Sequence, residues 1–157
     1  MNKALSLAVA ATLSCASLNS EAQTMIGKTT DVAAIANGDR MNAETLWAMG
    51  RIGGAAASPD GNTIVYQVGY YSVKQNKSHQ MLYTISSDGK KQCALTTTTA
   101  SETDATWIDG GKRIAFLTGG QLWSMNADGT DRRQLTKSEI DIEGYIFSPD
   151  EKKVILI

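Results

Sequence analysis

Short apolar runs alternate with turn residues along the chain from residue 54 onwards. Ile64-Val65-Tyr66, Ile114-Ala115-Phe116-Leu117 and Val154-Ile155-Leu156-Ile157 are rich in β-branched and aromatic side chains. Each follows a turn: Ser58-Pro59-Asp60-Gly61, Asp109-Gly110-Gly111 and Ser148-Pro149-Asp150-Glu151. Runs this short between such turns predict strands, and an unbroken apolar run predicts burial on both faces. Proline presets φ at the second position of the Ser-Pro-Asp-Gly turn, aspartate tolerates the third and glycine suits the fourth. The Asp150-Glu151 turn lacks the glycine and is less well specified.

A second pattern trails the first. LYTISSDGKKQCALT (82–96) matches LWSMNADGTDRRQLT (122–136) at an offset of 40 throughout. Ser87-Asp88-Gly89 and Ala127-Asp128-Gly129 predict hairpins joining strands 82–86 to 90–95 and 121–125 to 131–135. Ile64, Ile114 and Val154 are spaced by 50 and then 40 residues. The difference places ten extra residues in VGYYSVKQNKSHQ, read as a long polar hairpin loop within 67–80. A period near 40 residues, with four short strands per unit, describes an all-β fold of radial repeats, a β-propeller. A two-sheet sandwich would show cleaner alternation on its outward faces. The expected blades are 54–96 and 105–136, with a third starting at 145–157, about two and a half in all. Propellers close with roughly four to eight blades, so the chain is expected to be the front of a larger propeller.

The N-terminal region lacks this pattern. Lys3 precedes an apolar stretch from Ala4 to Ala16, and Ser20-Glu21-Ala22 sets small residues before Gln23. That is the shape of a signal peptide over 1–22, which predicts an exported protein, periplasmic or secreted. Thr12-Leu13-Ser14 before Cys15 matches a lipidation signal poorly. Residues 23–53 read as a leader and short capping segment. Within it Asn42 is placed to cap a helix, and Leu46, Trp47 and Met49 form an apolar patch expected to pack on the outside of the propeller. Removal of 1–22 would leave Cys93 as the only cysteine, a half-buried structural thiol.

Composition narrows the chemistry. With 42% hydrophobic and 20% charged residues the chain is globular rather than disordered, and a net charge of −1 with no block of like charge gives no reason to expect a nucleic-acid partner or, after signal cleavage, a membrane. One histidine and one mature cysteine give no metal-ligand spacing. Gly27-Lys28-Thr29 lacks the upstream glycine of a phosphate loop. Asn126-Ala127-Asp128-Gly129 lacks the spacing of a calcium loop and reads as a turn. Asn76-Lys77-Ser78 is a glycosylation sequon. His79 is the only candidate base for a nucleophilic triad, and its place in the polar insertion predicts an exposed loop residue. There is no Gly-x-Ser-x-Gly elbow. No catalytic, cofactor-binding or metal-binding residue is assigned.

ETLWAMGRIGGAAASPDGNTIVYQV, followed by Asp-Gly hairpins ending in Leu-Thr, resembles the N-terminal propeller of secreted bacterial serine peptidases of the prolyl oligopeptidase family, in its dipeptidyl-peptidase or acylaminoacyl-peptidase-like branch. The resemblance covers about residues 41–157. It implies a propeller that restricts access to a C-terminal α/β-hydrolase domain, the partner that carries the catalytic serine, aspartate and histidine. No position of this chain matches one of those three. The resemblance therefore implies a peptidase parent acting on peptides, and a chain that is by itself inactive and ends before the hydrolase domain. The repeats are shared with periplasmic Tol-associated propellers, so a binding or scaffold propeller without enzymatic activity is the alternative.

Overall fold

The computed structural model describes residues 41–72, 76–96 and 98–157. The expected signal peptide, Cys15, Gly27-Lys28-Thr29 and the leader as far as residue 40 lie outside the described residues.

A six-residue helix, α1 (Ala43–Ala48), precedes ten strands: β1 (Arg51–Ala57), β2 (Thr63–Ser72), β3 (Lys77–Ser86), β4 (Gln92–Ala94), β5 (Thr103–Ile108), β6 (Arg113–Thr118), β7 (Gln121–Asn126), β8 (Arg133–Gln134), β9 (Tyr145–Phe147) and β10 (Val154–Leu156). They form antiparallel sheets β1-β2-β3-β4, β5-β6-β7-β8 and β9-β10. This is a partial propeller of two four-stranded blades and half of a third.

The turns show why the repeat is written as it is. Ser58, Ser86 and Ser148 each donate a hydroxyl hydrogen bond to the aspartate two residues on, at 2.5, 2.6 and 2.6 Å. The same hydroxyls accept from the main-chain N–H five residues on, each at 3.0 Å. These hydroxyls are the main cause holding the Asp60, Asp88 and Asp150 carboxyls below their ordinary range. Gly61 closes the first turn at φ +70°, where an L side chain is strained. Glu151 takes that place in the third turn at φ +55°, and the turn forms all the same. The Leu-Thr pair is equally physical. Leu95 and Leu135 donate their N–H to the carbonyls of Leu82 and Leu122, each at 2.8 Å. The hydroxyls of Thr96 and Thr136 then accept from the N–H of Leu82 and Leu122, at 2.7 and 2.9 Å.

Packing follows blade by blade. Val65 and Leu82 from the first sheet meet Ile114, Phe116 and Met125 from the second. Ala115, Leu117 and Leu122, on the other face of the second sheet, meet Ile142 and Tyr145 of the third unit. The run at 114–117 is therefore buried on both faces, as its pattern predicts. The run at 154–156 is exposed: among the described residues its sheet has only β9 beside it, and β10 is an edge. Val68, Met81 and Tyr83 form a third cluster with Tyr66 and Tyr70 on the other face of the first sheet.

Two expectations are corrected. The first blade opens at Arg51, before residue 54, because Arg51 and Ile52 pair with Gly69 and Val68 in a lengthened β2. The insertion at 67–80 is for the most part not a loop. It extends the β2–β3 ladder to Ser72↔Lys77, so its tyrosines lie on strands.

Candidate functional site

The corrected hairpin changes where the chemistry-bearing residues lie. Residues 68, 70, 79, 81 and 83 share one face of the sheet, since side chains alternate and Val68↔Met81, Tyr70↔His79 and Tyr66↔Tyr83 are cross-strand pairs. His79 is consequently only 2% exposed rather than in an exposed loop. Its Nε2 is buried with no hydrogen-bond partner. Desolvation holds the imidazole below its ordinary range, and the charge of Glu102 offsets part of that. Beside it the Tyr70 and Tyr83 hydroxyls are 3.1 Å apart, and Tyr83 stacks on Tyr66 at 5.6 Å between centroids. Burial is the main cause that pushes the Tyr83 phenol far up, out of reach of ordinary acid–base chemistry. No serine or cysteine among the described residues hydrogen-bonds the Nε2 of His79.

The other candidates are dispersed. Asn126, Asp128 and Gly129 form the β7–β8 turn, with Thr130 donating to the Asp128 carboxylate at 2.6 Å. Asn76 sits at φ +48° at the hairpin tip. Cys93 is half-buried in β4. Among the described residues no cluster of three or more histidine, cysteine or acidic side chains is placed to hold a metal.

Concave features also mark the surface of the described residues. One lies between the free edges of β5 and β9, with Asp104, Trp107, Tyr145, Phe147 and Glu151 on its walls and a volume of about 460 Å³. The edges of β1, β5 and β9 are tied across it and beside it. Trp107 donates its indole N–H to the Ala56 carbonyl at 2.9 Å, and the Tyr145 hydroxyl reaches the carbonyls of Asp104 and Ala115 at 2.6 and 2.9 Å. β1, β5 and β9 are each hydrogen-bonded on one side only, and these ties hold them side by side.

The second feature is at the start of the blade. Asn42 caps α1 by accepting from the Thr45 N–H at 2.7 Å. The helix buries Thr45 against the first sheet but leaves Trp47 41% exposed, so the expected apolar patch is only half covered. Trp47 meets Tyr71 edge to face, with centroids 5.6 Å apart. The Arg51 guanidinium carbon lies 4.7 Å from the Trp47 centroid and 4.5 Å from that of Tyr71. Trp47 and Tyr71, with Ser72, Asn76, Lys77 and Ser78, line a recess of about 460 Å³. The lengthening of the hairpin that brings Tyr71 here is legible only once the insertion is read as strand.

No family model matches the chain. It is 42% identical over 119 residues to dipeptidyl-peptidase 5 of Porphyromonas endodontalis, covering 73% of this chain and 17% of that protein. Against dipeptidyl-peptidase 5 of Porphyromonas gingivalis it is 40% identical over 122 residues, covering 75% and 18%. Among solved structures, acylaminoacyl peptidase of Pyrococcus horikoshii superposes with a TM-score of 0.61 at 13% identity, over 74% of this chain and 18% of that one. The chain thus spans less than a fifth of the length of the curated relatives it matches.

Proposed function

We propose that this chain, which belongs to the β-propeller region of the prolyl oligopeptidase family of serine peptidases, filters the approach of peptides to a hydrolase domain. The observation that supports this is that three sheet edges, β1, β5 and β9, are tied to one another by Trp107 and Tyr145. Rigid strands held this way make the wall of a passage rather than a packed end, and binding functions concentrate where a rigid scaffold presents loops and edges. A wall of fixed bore admits an extended peptide and excludes a folded chain. The described residues include no nucleophile–base pair, so in this reading the reaction itself belongs to the hydrolase partner. The protein works outside the cytoplasm once residues 1–22 are removed.

The test uses the complete gene product and, separately, the 157-residue chain. The complete product is expected to release dipeptides from short fluorogenic peptides and to leave a folded protein substrate intact, while the 157-residue chain hydrolyses neither. Equal cleavage of peptide and folded protein would overturn filtering. A complete product with no peptidase activity would favour the binding-propeller reading instead.

A further inference from the structure

Aspartate is followed by glycine at 60–61, 88–89, 109–110 and 128–129. This step carries a latent reaction, because the glycine nitrogen is within reach of the aspartate side-chain carbon and no glycine side chain hinders its approach. The fold shields three of the four steps at both reacting atoms. The Asp60, Asp88 and Asp128 carboxylates accept from the hydroxyls of Ser58, Ser86 and Thr130 at 2.5, 2.6 and 2.6 Å. The main-chain N–H groups of Asn62, Lys90 and Thr130 add a second bond to each. These bonds hold the three carboxyls below their ordinary range, and an ionised carboxylate is a poor electrophile. The N–H groups of Gly61, Gly89 and Gly129 in turn donate to the carbonyls of Ser58, Ser86 and Asn126, at 2.8, 2.8 and 2.9 Å.

Asp109-Gly110 has neither restraint. Among the described residues no donor reaches the Asp109 carboxylate, and no carbonyl takes the Gly110 N–H. Both residues are exposed, and nothing stands within 4 Å of where a side chain on Gly110 would begin. Asp109 is held at φ +52°, an uncommon conformation for a residue with a side chain, which Asp60, Asp88 and Asp128 do not share. The turn also sits where all three units meet. Gly111 lies so close to Pro59 of the first unit that a side chain on it would meet the proline ring at 2.9 Å. The Asp109 N–H donates to the Glu151 carboxylate of the third unit at 2.6 Å.

We infer that Asp109 is a site of spontaneous isomerisation to isoaspartate, and that the product loosens the contact between the second and third units. The Gly110 nitrogen attacks the Asp109 Cγ and forms a C–N bond. The amide proton and a carboxyl hydroxyl leave as water, which closes a succinimide ring. Water then opens the ring. Addition at the former side-chain carbonyl restores aspartate. Addition at the former main-chain carbonyl breaks its bond to the Gly110 nitrogen and leaves the chain joined through Cγ. The mass is unchanged, and water is the only other reactant. The product inserts a methylene into the main chain and sets a free carboxylate on the Asp109 Cα, next to the N–H that Glu151 accepts from. Like charges then meet at that hydrogen bond and weaken it. The inference does not rest on peptide filtering.

The experiment is storage of the 157-residue chain at neutral pH, folded and in urea, followed by peptide mapping with fragmentation that distinguishes the two linkages. In the folded chain isoaspartate at Asp109 is expected to build up about ten-fold faster than at Asp60, Asp88 or Asp128, the effect of the hydrogen bonds those three keep. In urea, where every step loses the fold, the four rates are expected to converge. Hydroxylamine, which cleaves succinimides, is expected to cut the folded chain after Asp109. Asp109→Glu, which would have to close a larger and less favourable ring, is expected to remove the product at that position and leave the other three rates unchanged. Hydrogen exchange of the Asp109 amide is expected to be faster in the isomerised fraction, and unchanged exchange would overturn the loosening. Equal rates at the four sites of the folded chain overturn the isomerisation site. So does a lead of Asp109 that persists undiminished in urea, because the fold would then not be what selects it. The comparison of four sites within one protein needs no variant, so it decides the matter even if the Asp109→Glu chain misfolds.

Discussion

His79 is where a single residue departs most from its sequence context. It lies among polar neighbours, Lys77-Ser78 before it and Gln80 after, yet strand alternation turns it onto the apolar face with Val68 and Met81. Its Nε2 has no partner there. Burial opposes protonation, so the folded chain takes up this proton at lower pH than the unfolded chain, which titrates near the ordinary histidine value of 6.5. Between those two values the unfolded state binds more protons, and stability rises with pH. The stability contributed by neutral His79 is therefore full above 6.5 and is lost as pH falls below it. Glu102 is the charged group that opposes this, and it narrows the window. Thermal unfolding at about pH 7.5 and about pH 5.5 should show a drop in melting temperature that is smaller in His79→Met, which fills the site without titrating. An equal drop in both proteins would mean that His79 is not the group responsible.

At the scale of elements, the turns and apolar runs were legible because each is a local pattern: Ser-x-Asp at a hairpin, Leu-Thr at a strand end, an unbroken apolar run in a shared sheet. What joins one blade to the next was not, because it depends on which faces meet. Glu102 is 1% exposed, yet it lies in a connecting segment that reads as polar. Arg132 pairs with it from thirty residues away, while donating to the Leu95 carbonyl at 3.2 Å and lying 5.0 Å from the Phe116 ring centroid. Thr96 donates to the other carboxylate oxygen at 2.8 Å. At the next junction the repeat puts Ile142 where Glu102 stands, and packs it in an apolar cluster. The same joint is thus built once from charge and once from hydrocarbon. Arg132→Met strands a buried carboxylate and should destabilise the chain by about 3 kcal/mol. Adding Glu102→Ile should restore most of that loss, since a paired ion replaced by packed apolar groups is often neutral. Urea unfolding of the single and double variants decides it. A double variant no more stable than the single one would show that the charge itself, rather than filled space, holds the blades together. The contact of Arg51 with Trp47 and Tyr71 escaped sequence reading for the same reason: ETLWAMGRIG shows Trp47 and Arg51 four residues apart, but Tyr71 reaches them only through the lengthened hairpin.

For the molecule as a whole, each blade face is stabilised by the next, and the third unit carries the consequence. Tyr145 and Phe147 face inward, while Ile146 and its partner Ile155 face out, 60% and 65% exposed. β10 adds an edge whose run Val154-Ile155-Leu156 contains no charge or proline. Edges of that kind pair with other edges, and a lysine pointing from one is the usual natural defence. Antiparallel pairing of two β10 strands would turn a two-stranded sheet into a four-stranded one, the size of its two neighbours. The 157-residue chain is therefore expected to self-associate as its concentration rises, with retention of its β-sheet spectrum. Ile155→Lys should leave the melting temperature nearly unchanged, because the side chain it replaces lies mostly in solvent, and should shift light scattering toward the monomer mass. If the two proteins show the same mass at every concentration, the exposed strand is not what draws the chains together, and the apolar surface around Leu46 and Trp47 on α1 becomes the next place to substitute.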